Sequence, residues 1–356
     1  MGLQKMTGIT SEGGAVMSEF ETIMTEITGG LTGYSEKDAR YLMDQMEKYK
    51  THEMAKEILR ACGRLFYNCT TEEQRAEFSQ FMNNRVAMYE SVMEEAQFKI
   101  HQKKFGEAYE LMKDLIRQIE EMHMFTDDKV SEYHCFNEFF EEVLYRENTR
   151  PEKELRSPSM PLDRIYLLYG SLLIDLNRFD DARAALETAM HWNPADADIA
   201  FEHAEIFKKQ GDIESFFRLT LDAFKYSFRT RQVARCFRNL GYYFSENEKW
   251  QEATACYMLS LQYERDSKSA MSELYYIQQK AGSNVPKPDM AYIKECAEQY
   301  GFPAGADPDV LGLSYAYGKH FAENGNTDGA RYCWEITYEL TDDPDIKELL
   351  DKLPAE

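Results

Sequence analysis

Nothing in the 356 residues approaches the roughly 18 consecutive apolar positions that a membrane-spanning helix requires. The opening stretch MGLQKMTGITSEGGAV holds no apolar core of signal-peptide length. The myristoylation pattern fails there too, because Met6 stands where serine or threonine is wanted. A cytoplasmic location is therefore expected. Paired cysteines are missing as well. Cys62, Cys69, Cys135, Cys236, Cys256, Cys296 and Cys333 are odd in number, scattered, and without one C-x-x-C. That spacing speaks against a disulfide framework and against a zinc cluster, and leaves buried free thiols as the expectation. Positive charge is scarce: 41 lysines and arginines face 63 acids, for a net charge of −22. A general nucleic-acid binder needs cations to displace counterions from phosphate, and an anionic membrane would repel this chain. Neither partner is expected. Catalytic signatures are lacking too. There is no phosphate loop, no G-x-S-x-G elbow and no H-E-x-x-H, since Thr51-His52-Glu53 has no second histidine at the right distance. No catalytic residue, metal ligand or cofactor is assigned, and the chain is read as non-enzymatic. His134-Cys135 are neighbours that a helix would point apart, and His203 reads as a satisfied core histidine.

Proline and glycine are also few, at ten and nineteen, while the apolar fraction is 43%. Such a chain is mostly helical. The stretch Asp163 to Asp196 shows how the helices are arranged. It holds two amphipathic patterns joined by a short turn at Asn177-Arg178 and ended by Asn193-Pro194. Gly170 lies twelve residues before Ala182, and the same spacing recurs at Gly241 and Ala253 and at Gly318 and Ala330. The copies are offset by 71 and 77 residues, which fits two units of roughly 34 residues each time with a few inserted.

The residues around these positions resemble the tetratricopeptide repeat (TPR) family, whose pattern is W-x2-L-G-x2-Y, A-x3-F, P. The first copy reads Tyr166-x2-Tyr169-Gly170-x2-Leu173, Ala182-x3-Leu186, Pro194; the second reads Phe237-x2-Leu240-Gly241-x2-Phe244, Ala253-x3-Tyr257. The third reads Ser314-x2-Tyr317-Gly318-x2-Phe321, Ala330-x3-Trp334, with Pro344 slightly late. The resemblance implies an all-α fold: an α-solenoid, a right-handed superhelix of antiparallel helix pairs, behind an N-terminal helical segment. The expected organisation is a flexible tail over 1–34 with a short helix near 19–26, and a helical segment over 35–150. A proline-containing linker follows at 151–162, and then a repeat array over 163–356. The array divides at 163–196, 197–230, 234–267, an irregular 268–310, and 311–344, with a capping helix at the end. Within 35–150, helices are expected at about 36–49, 52–67 and 71–83, with Ser35 and Asp38 forming a capping box. A TPR-like repeat is expected at 89–122 and a helix at about 128–146. A DNA-reading helix-turn-helix in the first three is disfavoured, because TEEQRAEFSQFMNN is no more basic than acidic.

In such a solenoid the first helix of each pair lines the concave face. The family positions, carried onto this chain, put Arg164, Phe201, Arg235, Arg238, Tyr242, Tyr276, Tyr315 and Lys319 on the peptide-binding surface. The stretch Ala223–Ser245 carries Lys225, Arg229, Arg231, Arg235 and Arg238 and no acid, a reversal of sign in an acidic chain. Two readings follow. The patch grips an acidic or carboxylate-bearing segment, arginine binding carboxylate in bidentate fashion, or the arginines pair with acids of neighbouring repeats. The family's chaperone-tail clamp is not met, since Leu167, Ser171 and Glu202 stand at its lysine and asparagine positions. The expected function is a non-catalytic scaffold for a protein or peptide. The alternative is a bacterial-type regulator in which a signalling peptide closes the solenoid and the N-terminal helices act on a partner.

Overall fold

A computed structural model describes residues 11–122, 125–281 and 285–354, with side chains from Ser18 onward. In chain order it contains α1 (Ser11–Gly29), α2 (Ser35–Tyr49), α3 (Ala55–Asn68), α4 (Glu72–His101), α5 (Phe105–Met122), β1 (Ser131–Tyr133), α6 (Phe139–Thr149), β2 (Glu154–Arg156) and α7 (Leu162–Asp175). There follow α8 (Phe179–Trp192), α9 (Ala197–Gln210), α10 (Ile213–Ala223), a 3₁₀ turn (Phe224–Tyr226), α11 (Thr230–Glu246), α12 (Trp250–Tyr263) and α13 (Lys268–Ala281). The chain ends in α14 (Met290–Tyr300), α15 (Pro308–Glu323), α16 (Thr327–Thr341) and α17 (Pro344–Asp351). The fold is all-α apart from one short parallel strand pair, in which Ser131 faces Glu154 and Tyr133 faces Arg156. No helix among the described residues is long and apolar enough to cross a membrane.

The chain forms two compact units. The first ends at Cys135 and resumes over Asn148–Leu176; the second takes Phe136–Glu147 and Asn177 onward. The boundary at Leu176 therefore falls inside the stretch 163–196.

In the first unit α1, α2 and α3 pack around Ile27, Leu42, Met54, Ile58 and Cys62, joined by Val130 from a later loop. Three expectations are corrected here. Helix α1 runs over residues read as a flexible tail, because Ile27 is fully buried and gives the helix a face to pack; residues 1–10 lie outside the described range. Ser35 does not cap α2. Instead the Asp38 carboxylate turns back and accepts from the amides of Thr32 and Gly33, both at 2.8 Å, which holds its pKa below the usual carboxylate range. Helix α4 does not stop at 83 but runs 30 residues from Glu72 to His101, since nothing in NNRVAMYESV breaks a helix. Thr71 starts it with a complete capping box to Gln74. Helices α4, α5 and α7 then stack on one another, with Tyr109 of α5 and Tyr169 of α7 stacked at 6.2 Å.

Residues 128–138 are not helical as expected. Asp128 accepts from the amides of Val130 and Ser131 at 3.0 and 2.8 Å, Lys129 N–H donates to Glu57 at 3.0 Å, and Arg60 pairs with Asp128 at 3.0 Å. These bonds bind the segment to α3 in an extended form and deliver it to β1. Helix α6 starts only at Phe139.

In the second unit each helix packs on its neighbour in sequence from α8 through α13, and again from α15 through α17. That sequential packing is the solenoid arrangement, in which a helix pair buries its apolar face against the next. The repeat glycines show why it closes tightly. A Cβ on Gly241 would meet the Tyr257 ring at 2.8 Å, and one on Gly318 would meet the Trp334 indole. Here the glycine of the first helix makes room for the aromatic residue that replaces phenylalanine in the second. Aspartates cap α9, α10, α14, α15 and α17, and Gly211 and Gly301 end α9 and α14 with φ of +79° and +74°. The core is rich in phenylalanine, and Phe140, Val143 and Leu144 of α6 enter it beside Phe201, Phe228 and Phe237. Helix α17 covers the end, placing Ile346 against Ala330 and Trp334.

Candidate binding surfaces

In the second unit α9 and α11 face one another through their side chains. Their facing side chains form a ladder. Arg231 donates to Asp198 at 2.8 Å and Arg235 to Glu202 at 2.7 Å, while the Arg235 guanidinium lies 4.8 Å from the centre of the Phe201 ring. The next rung is Lys208, 4.5 Å from the centre of the Tyr242 ring. Burial, then the carboxylates of Glu246 and Glu205, raise the Tyr242 phenol above its ordinary range, so it stays a neutral donor at physiological pH. Arg238 pairs with Glu264 at the end of α12 and reaches Ser260 and Ser267 at 3.4 Å each.

The expected site residues are therefore placed as follows. Phe201 is fully buried beneath Arg235. Arg235 and Arg238 are 29% and 19% exposed and both ion-paired. Tyr242 is half-buried, and Tyr276 on α13 is 44% exposed. On α15, Tyr315 is exposed and Lys319 lies 3.9 Å from Glu323 on the same helix. Arg164 is exposed on α7, in the first unit. The acid-free stretch proves to be matched from outside itself. Lys225 pairs with Asp222 at 2.7 Å, and Arg229, Arg231, Arg235 and Arg238 pair with Glu138, Asp198, Glu202 and Glu264.

Sequence reasoning missed the seat of α6. Glu138 receives Arg229 and, at 3.0 Å, the hydroxyl of Tyr332. Phe139 lies among the rings of Tyr317, Phe321 and Tyr332, at 6.1, 5.5 and 6.5 Å. Phe140 meets Phe228 edge-on at 5.3 Å, and Glu141 accepts from the Asn193 side chain at 2.9 Å. This short acidic and aromatic helix and the residue before it, Glu138, thus sit on the loops that precede α9 and α11 and on α15 and α16. Burial pushes the Glu141 carboxyl up to about 7, the nearby Asp196 adding to the effect against three donated hydrogen bonds.

Six cysteines are buried and Cys69 half-buried, all free, and burial raises the thiols, which makes them poor nucleophiles. No group of three or more metal-ligating side chains converges among the described residues. His203 is not satisfied as expected. Both ring nitrogens are buried without a hydrogen-bond partner, its ring stands edge-on to Phe207 at 5.5 Å, and burial holds its pKa below the usual histidine value.

No protein-family model and no curated protein matches the chain. Solved structures do. A tetratricopeptide repeat protein from Parabacteroides merdae is 11% identical over 94% of this chain and 98% of its own, with a TM-score of 0.36. PilF of Pseudomonas aeruginosa is 11% identical over 76% and 99%, with a TM-score of 0.40. A thermophilic TPR protein of Thermus thermophilus is 14% identical over 53% and 97%, with a TM-score of 0.29. At such scores the repeat architecture rests on this chain's own helix pairs and their glycine–aromatic contacts.

Proposed function

We propose that the protein is a non-catalytic scaffold that binds a protein or peptide on the row formed by α9, α11 and α13. The observation that carries this reading is the ladder itself. Side chains of two successive first helices, α9 and α11, are held in register by ion pairs and a ring contact, and Tyr276 on α13, the next first helix, is exposed. Ordering these long side chains beforehand lowers the entropy lost when a partner docks. Recognition of an acidic segment is the finer form of the proposal. It works by exchange: a carboxylate of the partner replaces Glu202 on Arg235 or Glu264 on Arg238, so no guanidinium is left unpaired. The seat of α6 supports this, since Arg229 of the same run already holds Glu138 from a distant helix.

The test is site-specific photo-cross-linking in a lysate of the native source, with the cross-linker at Tyr242, at Tyr276, or at exposed Lys294 on α14 as control. Mass spectrometry should recover one common protein from positions 242 and 276 and not from 294. Recovery only from 294, or the same proteins from all three, sinks the assignment of the row.

A further inference from the structure

A second surface, in the first unit, has the opposite character. The α4–α5 pair is covered by α7 on one side. Its other side is an open groove of about 640 Å³. Met88 and Val92 of α4 and Leu111 and Leu115 of α5 form its floor. Met88 is 44% exposed, and a Cβ on Gly106 at one end of the groove would meet nothing within 4 Å. The apolar stripe continues past the end of α5. Phe78, Phe81, Met88 and Val92 recur at the three- and four- or seven-residue intervals that share one helix face, and Phe78 and Phe81 are 52% and 56% exposed. From Phe78 to Val92 the stripe is about 21 Å long, at ~1.5 Å per residue. A helix pair at the end of a stack ordinarily shows water a polar face; α4 and α5 show a groove with an apolar floor.

The rim says what fits. Glu95, Glu107, Glu110 and Asp114 surround the floor; Lys99 binds Glu107 at 2.8 Å, while Lys113 and Arg117 reach Glu110 and Asp114 only as exposed same-helix pairs at 3.9 and 3.4 Å, which a partner's cations can exchange. A second copy of the chain would bring the same acids to face these, within a protein of net charge −22. We propose that the groove between α4 and α5 binds a basic amphipathic helix of a partner protein. Apolar side chains of the helix, spaced at one face, enter between Val92 and Leu111, and its lysines and arginines meet Glu95, Glu110 and Asp114. This is the helix-in-groove mode of recognition, with charge fixing the sign of the partner. It is independent of the row in the second unit.

The probe is a synthetic amphipathic peptide of about five turns, roughly 18 residues, with leucine on one face and lysine on the other. Its counterpart replaces every lysine by glutamate. Binding to the full chain is read by fluorescence anisotropy at physiological salt. The lysine peptide should bind about tenfold or more tighter than the glutamate one, a difference of ~1.4 kcal/mol. Non-specific attraction to an acidic protein is separated by the variants. Met88→Asp and Val92→Asp each add negative charge, so they strengthen diffuse attraction but should weaken groove binding about tenfold. The exposed pair Glu110→Lys, Asp114→Lys should weaken it without touching the floor. Circular dichroism checks folding, and Met88→Asp, at an exposed position, guards against a misfolded Val92→Asp. Equal binding of both peptides, no binding of either, or affinity unmoved by Met88→Asp overturns the proposal. Sedimentation showing a dimer that Met88→Asp dissolves assigns the groove to a second copy and overturns it equally.

Discussion

Replacing Glu141 by glutamine isolates the most costly charge in the second unit. The residue is 5% exposed, and its carboxyl is pushed up to about 7 from an ordinary 4.5. A carboxyl raised on folding binds more protons in the native than in the unfolded state between those two values. Stability from this group is therefore fully present below pH ~4.5, falls as pH rises, and is lost above pH ~7. The shift corresponds to about 3 kcal/mol, at ~1.4 kcal/mol per unit. Geometry makes glutamine a fair substitute. The amides of Asn137 and Glu138 and the side chain of Asn193 all donate to one oxygen, Oε2, which the glutamine oxygen can replace. The assay is urea unfolding followed by tryptophan fluorescence at several values between pH 5 and 8. Trp192, Trp250 and Trp334, all the tryptophans of the chain, lie in the second unit and report on it alone. Wild type and Glu141→Gln should be close at pH 5, and the variant should gain steadily to about 3 kcal/mol at pH 8. A difference that stays constant with pH, or a variant weaker at pH 8, refutes the buried-charge account.

The same fluorescence readout checks three further expectations. His203→Leu removes two buried nitrogens without partners and should stabilise by about 1–2 kcal/mol at pH 7. Because burial lowers the native His203 pKa, wild type loses stability as pH falls through the unfolded value of about 6.5, so the advantage of the variant should widen at pH 5. Gly241→Ala should destabilise by about 1–3 kcal/mol, since the buried Tyr257 ring cannot yield. Gly312→Ala, in open space inside α15, should instead gain up to about 1 kcal/mol; the opposite ordering would contradict the close-approach argument. Phe140→Ala should cost about 3–5 kcal/mol, a fully buried ring lost from the core, and half-exposed Phe139→Ala clearly less. Equal costs would mean that α6 is not seated as described.

What could be read in the sequence was what repeats locally. Gly241 with Tyr257 and Gly318 with Trp334 are each one helix pair apart, so the constraint that couples them is written at a fixed spacing. The irregular unit expected over 268–310 likewise holds a helix pair, Lys268–Ala281 and Met290–Tyr300. Boundaries failed where a distant group decided them. Gly13-Gly14 suggested a loose tail, yet the burial of Ile27 against α3 sustains α1. The residues after Asp128 suggested a helix, yet Asp128, Glu57 and a strand partner in a proline-containing stretch claim the segment.

The binding row shows the same division at the level of chemistry. Its residue types and their spacing were visible, because Arg231, Arg235, Arg238 and Tyr242 fall along one side of one helix. Their partners were not. Asp198 and Glu202 lie 33 residues before Arg231 and Arg235, at the repeat period, and periodicity alone could have paired them. Glu138 lies 91 residues before Arg229 and 194 before Tyr332, outside any repeat, so no spacing rule finds it. Pairs near the repeat period join α9 to α11, whereas Arg229 is matched by Glu138, just before α6 and outside the array. Glu138 and Phe139 are consecutive residues at the start of α6, so charge and ring enter the same seat together.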